Sequence, residues 1–210
     1  MSVVVAIKEG GKVYVGADSQ VTKGGTRTTL LNPNNYKIWK VRDAENCLMA
    51  HVGWVREANV VRTLYLVDDY DVYRDCIDFR FVVKSVIPEI TKALGEARYL
   101  KEGYIESMES SYLFIYKDRI FNIGSDLSVV EVEDYVAIGS GANQAIGSLL
   151  STEGKKPEER IVMAIKASAA SDIYVDYPII ITDSESTEFK VINEDDEINK
   201  KGKKHENNTK

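Results

Sequence analysis

The tightest constraint on the fold lies at the start of the chain, where residues 2–20 read Ser-Val-Val-Val-Ala-Ile-Lys-Glu-Gly-Gly-Lys-Val-Tyr-Val-Gly-Ala-Asp-Ser-Gln. Val3 to Lys8 and Lys12 to Ala17 are rich in β-branched residues, and Glu9-Gly10-Gly11 between them supplies hairpin turn chemistry. The segment predicts two antiparallel strands, the second ending at Asp18. A hydroxyl residue, Ser2, stands directly behind Met1. Removal of Met1 would give Ser2 a hydroxyl and a free α-amine on one residue. An α-amine titrates at about 7.7–8.0, so it can take up a proton near neutral pH. A hydroxyl paired with a terminal amine is one way to activate a weak oxygen nucleophile.

Composition narrows the alternatives. A chain of 210 residues with 44% hydrophobic content fits one domain with a sizeable core. A net charge of −6 argues against nucleic-acid binding, which calls for a basic face. Cys47 and Cys76 form no CxxC pair, so neither a disulfide framework nor a zinc site is expected, and a reducing cytoplasm is the simplest setting. No apolar run approaches the roughly 20 residues that span a bilayer, and the N-terminus does not read as a secretory signal. No cofactor or metal is expected, and no membrane partner.

Further along, Thr22 to Asn35 reads as a loop or irregular strand pair, and Tyr36 to Val41 and Asn46 to Val52 as strands broken by Gly53. Arg56 to Val67 and Phe79 to Leu94 carry apolar residues at helical spacing, the second with a kink expected at Pro88. Asp68 to Asp78 is an acidic, aromatic connector. Ser111 to Tyr116 and Arg119 to Ile123 form a strand pair around Lys117-Asp118. Val129 to Ile138 reads as one strand running into Gly139-Ser140-Gly141. Helices follow over Ala142 to Leu150 and Pro157 to Ala170, and Asp172 to Ile181 is the expected last strand, with Pro178 suited to an edge or irregularity. Helices grouped between sheet segments predict an α+β arrangement, with sheets between helical layers. Residues 194–210 have almost no apolar content and read as a disordered charged tail.

In order and spacing, these features resemble the proteasome β-type peptidase subunits, closest to their HslV-like branch, within the N-terminal nucleophile hydrolases. The resemblance spans residues 2 to 183. Ser2 occupies the place of the family's nucleophile, a Thr more often than a Ser. Asp18 matches the acidic residue that closes the second strand. Asn35-Tyr36-Lys37-Ile38 matches the segment of the active-site lysine, after a slightly longer loop. Val52-Gly53-Trp54 matches the oxyanion-hole glycine between strand and helix. Ala137-Ile138-Gly139-Ser140-Gly141 matches the Gly-Ser-Gly before a helix, and Ala170-Ser171-Asp172-Ile173 resembles the closing segment.

The resemblance implies a four-layer αββα sandwich over residues 2–193 and hydrolysis of peptide bonds in a polypeptide substrate. The implied site is Ser2, Asp18, Lys37, Gly53 and Ser140. It further implies a homo-oligomeric ring enclosing a chamber, fed by an AAA+ ATPase unfoldase. The chain departs from the pattern in three places: Ser replaces Thr, Ala167 and Ala170 stand where core proteasome subunits carry an Asp and a Ser, and Trp54 is bulky beside the substrate groove.

Taken singly, each residue has a plainer role: Asp18 in a turn, Lys37 as a solvated strand charge, Gly53 in a bulge, Ser140 as a helix cap. Two other functions stay open on sequence, a non-catalytic ring scaffold that keeps Met1 and a stand-alone amidase. His51, in an apolar strand, reads as structural and His205 lies in the tail, so a Ser-His-Asp triad has little material. Tyr65, Tyr70, Tyr73 and Tyr99 offer amphipathic area for subunit contacts.

Overall fold

The first strand, β1 (Val3–Glu9), is buried on both faces, and that sets the layering. Side chains alternate across a strand, so Val3, Val5 and Ile7 enter one apolar cluster while Val4 and Ala6 enter another. The structure, a computed structural model, describes residues 2–97, 107–186 and 188–196.

β1 pairs with β2 (Lys12–Ala17) through the Gly10-Gly11 turn, and on its other side with β10 (Tyr135–Gly139). β11 (Ile179–Asp183) and β12 (Lys190–Ile192) complete a five-stranded sheet in the order β10-β1-β2-β11-β12. A second five-stranded sheet runs β5 (Ile38–Lys40), β6 (Cys47–Val52), β7 (Ser111–Tyr116), β8 (Arg119–Ile123) and β9 (Val129–Val132). Every pairing in both sheets is antiparallel. A small hairpin, β3 (Gln20–Lys23) and β4 (Thr26–Thr29), projects between β2 and β5.

Three apolar clusters divide the molecule into layers. Between the sheets lie Val4, Ala6, Val13 and Val15 from one side and Leu48, Ala50, Leu113 and Ile115 from the other. On the outside of the first sheet, α5 (Ala142–Ser151) and α6 (Pro157–Ala169) cover Val3, Val5 and Ile7 with Ala145, Leu149, Ile161 and Ile165. On the outside of the second, α1 (Val55–Val61), α2 (Tyr70–Tyr73), α3 (Phe79–Phe81) and α4 (Ile87–Glu96) form the opposite layer, where Val61, Val86, Ile90 and Leu94 meet Met49, Phe114 and Phe121. This is a four-layer αββα sandwich. Fully burying a Val, Leu or Ile side chain is worth about 1.5–3 kcal/mol, so the clusters supply the main cohesion.

The structure revises several expected elements. The helix expected from Arg56 to Val67 ends at Val61. The connector 68–78 contains α2 and ends at Asp78, whose Oδ1 accepts the Phe81 N–H and caps α3. Pro88 sits in the first turn of α4, and the chain before it, Val82–Val86, is a π-helical turn. Val129 to Ile138 is two strands in different sheets: Val132 pairs with Ile120, and Tyr135 with Ile7. The last strand begins only after Pro178, because Asp172 Oδ1 accepts the Tyr174 N–H and turns the preceding segment. β12 was not expected.

Residues 194–196 form a helical turn, and Asp196 accepts the Asn193 N–H at 3.1 Å. The rest of the expected tail, with His205, lies outside the described residues, as does Tyr99. Tyr65 and Tyr73 are exposed. No helix among the described residues is long and apolar enough to cross a membrane.

Candidate active site

Six polar or glycine positions stand one residue beyond a strand end. Ser2 precedes β1, Asp18 follows β2 and Ser140 follows β10, all at one end of the first sheet. Lys37 precedes β5, Gly53 follows β6 and Ser110 precedes β7, all at one end of the second. Antiparallel pairing brings starts and ends together, so residues remote in sequence become neighbours.

Hydrogen bonds join four of the five expected site residues. The Ser2 N–H donates to Ser140 Oγ at 3.1 Å, and the Ser2 carbonyl accepts from Gly141 N–H at 3.3 Å. The next residue, Val3, donates its N–H to Asp18 Oδ1 at 2.9 Å. Asp18 Oδ1 also accepts Lys37 Nζ at 2.7 Å, and Asp18 Oδ2 accepts the Gln20 N–H at 3.0 Å. Lys37 Nζ makes a second bond, to the Gln20 carbonyl at 2.6 Å. Asp18 is 1% exposed and Lys37 5%, so the two charges meet in the interior. Burial pushes the Lys37 ammonium below the usual lysine range, opposed by the charge and hydrogen bond of Asp18. Burial likewise pushes Asp18 up, opposed by the Lys37 charge and by the donors that reach it.

Gly53 is brought in from the second sheet. His51 donates its N–H to the Lys37 carbonyl at 2.9 Å, and Val52 reaches the other sheet at Gly139. Gly139 has φ +102, and a Cβ there would lie 2.2 Å from the Ser2 carbonyl oxygen and 3.1 Å from Val52 Cγ1. Only glycine lets these strand ends approach so closely. Gly53 has φ +124, and a Cβ there would lie 2.7 Å from the Glu109 carbonyl oxygen and from Ser110 Cα.

Sequence reasoning missed four supporting residues. Gln20 carries the carbonyl that holds Lys37, and its side-chain amide donates to the Ile173 carbonyl at 2.8 Å. Arg62 donates to the carbonyls of Asn34 and Tyr36, immediately before Lys37, and its guanidinium lies 4.6 Å from the Trp39 ring centre. Ser168, fully buried on α6, donates to the Gly141 carbonyl at 2.7 Å. Ser110 sits under Gly53. None had a sequence signal beyond being a polar residue near an apolar run. Ala167 and Ala170 flank Ser168 on the same helix end.

Ser110 Oγ is 3.3 Å from His51 Nε2, which on distance alone suggests a second nucleophile. Both residues are buried, and His51 Nε2 also lies 3.1 Å from the Trp54 carbonyl, an obligate acceptor. Nε2 therefore carries the proton and is no base toward Ser110. Burial pushes His51 down to about 3. An unfolded histidine titrates near 6.5, so the folded state binds this proton less readily. The stability His51 contributes is full above pH 6.5 and is lost as pH falls from there toward 3. At pH 5 the loss is about 2 kcal/mol. Urea unfolding at pH 7.5 and pH 5 should show this difference for the wild type over His51→Leu; equal pH dependence of the two would exclude it.

Among the described residues there is no group of three or more His, Cys, Asp or Glu side chains placed to hold a metal ion. The acidic stretch from Asp68 to Asp78 is no exception.

The geometry can be set against known proteins. No family model matches the chain. It is 29% identical over 149 residues to the ATP-dependent protease subunit HslV of Campylobacter curvus, covering 69% of this chain and 73% of that protein. It is 28% identical over 184 residues to the same-named subunit of Borrelia turicatae, covering 85% and 94%. Thiobacillus denitrificans BPH superimposes with a TM-score of 0.70 at 20% identity, over 89% of this chain and all of that one. The chain is HslV-like. BPH has also been solved in complex with epoxomicin, and that structure superimposes with a TM-score of 0.66. The superposition on BPH supports the four-layer fold over most of the chain.

Proposed function

We propose that this HslV-like chain is the hydrolytic subunit of a self-compartmentalising, proteasome-like peptidase, with Ser2 as its nucleophile once Met1 is removed. The observation that carries the reading is the buried Asp18–Lys37 pair, which is hydrogen-bonded to the backbone of the residue next to Ser2. Two charges are costly to bury, and a well-packed apolar pair would serve stability as well or better. Their presence beside a hydroxyl residue fits a chemical use.

In this mechanism Ser2 Oγ attacks the carbonyl carbon of a peptide bond. The Ser2 α-amine takes the hydroxyl proton, directly or through a water, and returns it to the leaving amine. An acyl-enzyme ester remains, and water hydrolyses it by the same proton route. The Lys37 ammonium favours the alkoxide and disfavours protonation of the nearby amine. Asp18 fixes Lys37 by a charge-assisted bond. The Gly53 N–H stabilises the tetrahedral oxyanion, a type of contact whose loss costs about 10²–10³ in rate. Ser140, already 3.1 Å from Ser2 N, orients the amine.

Residues 2–193 form the peptidase domain in this reading, with a charged tail over 194–210. The subunit assembles in the cytoplasm into a homo-oligomeric ring whose chamber admits polypeptide delivered by an AAA+ ATPase. Support for the assembly comes from the names of the relatives, each an ATP-dependent protease subunit.

The deciding experiment is the intact mass of the purified protein before and after epoxomicin. The expected result is a mass short by one methionine, Ser as first residue, and one inhibitor added to the N-terminal peptide. Retained Met1 with no adduct would overturn the peptidase reading in favour of a ring scaffold.

A further inference from the structure

We propose that His51 and Ser110 are positioning residues that clamp the backbone of Trp54, the residue after Gly53, and so keep the Gly53 N–H aimed at the reacting carbonyl. The inference rests on the peptidase reading above and adds two side chains to its machinery.

The clamp holds both polar groups of one residue. The Trp54 N–H donates to Ser110 Oγ at 3.0 Å, and the Trp54 carbonyl accepts from His51 Nε2 at 3.1 Å. The two side chains stand 3.3 Å apart, so they brace each other as well as the turn. Backbone groups of a turn at an active site are commonly met by water. Here they are met by side chains that are 4% and 1% exposed. The Trp54 indole, by contrast, is 59% exposed, so apolar packing of the side chain does not hold this residue.

The clamp also has a rigid footing. Ser110 begins the approach to β7, a central strand of the second sheet, and Glu109 before it donates its N–H to Glu57 Oε1 at 3.1 Å. Glu57 lies in the first turn of α1 and is buried. The 109–110 segment is therefore tied both to the residue that precedes α1 and to the helix itself. Gly53 lies in the tightest part of the loop, with no room for a Cβ against Glu109 and Ser110. Trp54 is thus held in both peptide units that flank its Cα, one through its N–H and the next through its C=O, and Gly53 at φ +124 precedes them, so the turn has little freedom to rotate. An oxyanion donor is effective when it is preorganised and needs no rearrangement as charge develops. The clamp supplies that preorganisation.

The test uses Ser110→Ala, His51→Leu and His51→Gln in the Met1-free protein. Ser110→Ala removes the acceptor, His51→Leu removes the donor at similar bulk, and His51→Gln restores a donor. The first two should lower kcat on a fluorogenic peptide amide by about tenfold or more, with KM within about twofold, because the contact is made in the transition state. His51→Gln should recover most of the loss. Amide exchange at Trp54, read by mass spectrometry on a short peptide, should accelerate in Ser110→Ala and His51→Leu. Folded variants with unchanged kcat would overturn the proposal, as would a fall in kcat that His51→Gln shares in full. If the wild type neither cleaves peptide nor takes up epoxomicin, the peptidase reading fails. Exchange at Trp54 then still decides whether the clamp exists: unchanged exchange in both variants overturns it.

Discussion

Ser2→Ala should abolish peptide hydrolysis while leaving the protein folded. The hydroxyl is the only group in the proposed mechanism that forms a covalent bond to substrate, and deleting a nucleophile costs about 10⁴-fold or more. The fold should tolerate the change because the backbone anchors this end of β1. The Ser2 N–H and carbonyl bond Ser140 and Gly141, and Val3 bonds Asp18, whatever the side chain at position 2. Ser2→Thr should keep activity within about threefold or raise it, since the added methyl restricts χ1 and holds the hydroxyl in fewer orientations. Three quantities check this: intact mass to establish loss of Met1 in each variant, initial rates on a fluorogenic peptide, and thermal midpoints. An active Ser2→Ala protein would remove Ser2 from the mechanism.

The largest effect on stability should come from breaking the Asp18–Lys37 pair. Removing one partner of a buried ion pair leaves the other uncompensated and costs about 3–5 kcal/mol. For a chain of this size that corresponds to a fall in Tm of roughly 6–20 °C. Asp18→Ala should be the worse of the two. It strands the Lys37 ammonium with only the Gln20 carbonyl, and it also releases the N–H groups of Val3 and Gln20. Lys37→Met should be milder and should carry a pH signature. With Lys37 gone, the main influence holding Asp18 down is lost and burial raises it further. A carboxyl whose folded pKa lies above its unfolded value stabilises the protein at low pH and loses that contribution as pH rises through the folded value. His51 remains in this variant, so the signature is read against the wild type: on acidification from pH 8 to pH 5, Lys37→Met should lose less stability than the wild type, or gain it. Both variants should be inactive. A Lys37→Met protein whose stability falls on acidification as steeply as that of the wild type would contradict the assignment of Asp18 as the stranded group.

The elements that could be read from sequence are those whose pattern and turn agree locally. β1 and β2 carry β-branched runs around Gly10-Gly11, and β7 and β8 flank Lys117-Asp118, so a hairpin is specified without help from elsewhere. The split between β9 and β10 was not legible. Val129 to Ile138 is apolar at both ends, and only its pairing partners, Ile120 in one sheet and Ile7 in the other, show that the chain changes sheet within it. Ile173, Tyr174 and Val175 look like strand, yet Asp172 accepts a backbone N–H there and turns the chain instead. The site shows the same division. Ser2, Asp18, Lys37, Gly53 and Ser140 stand out by residue type next to apolar runs. The groups that orient them are backbone atoms of Val3 and Gln20 and side chains such as Ser110 and Ser168, which take on meaning only through contact.

The division of the site between two sheets gives the apolar layer between them a role as a spacer. Ser2, Asp18 and Ser140 ride on one sheet, Lys37 and Gly53 on the other, and the gap is filled by Val4, Ala6, Val15, Leu48, Ala50, Leu113 and Ile115. The thickness of that filling sets how far Ser2 stands from the Lys37 ammonium and from Gly53. Losing or gaining a methylene deep in the layer, with no polar group touched, would shift one half of the site against the other. Misplacement of reacting groups by about 1 Å can cost 10²-fold in rate. The interior between the sheets is thus under a geometric tolerance in addition to its demand for dense packing.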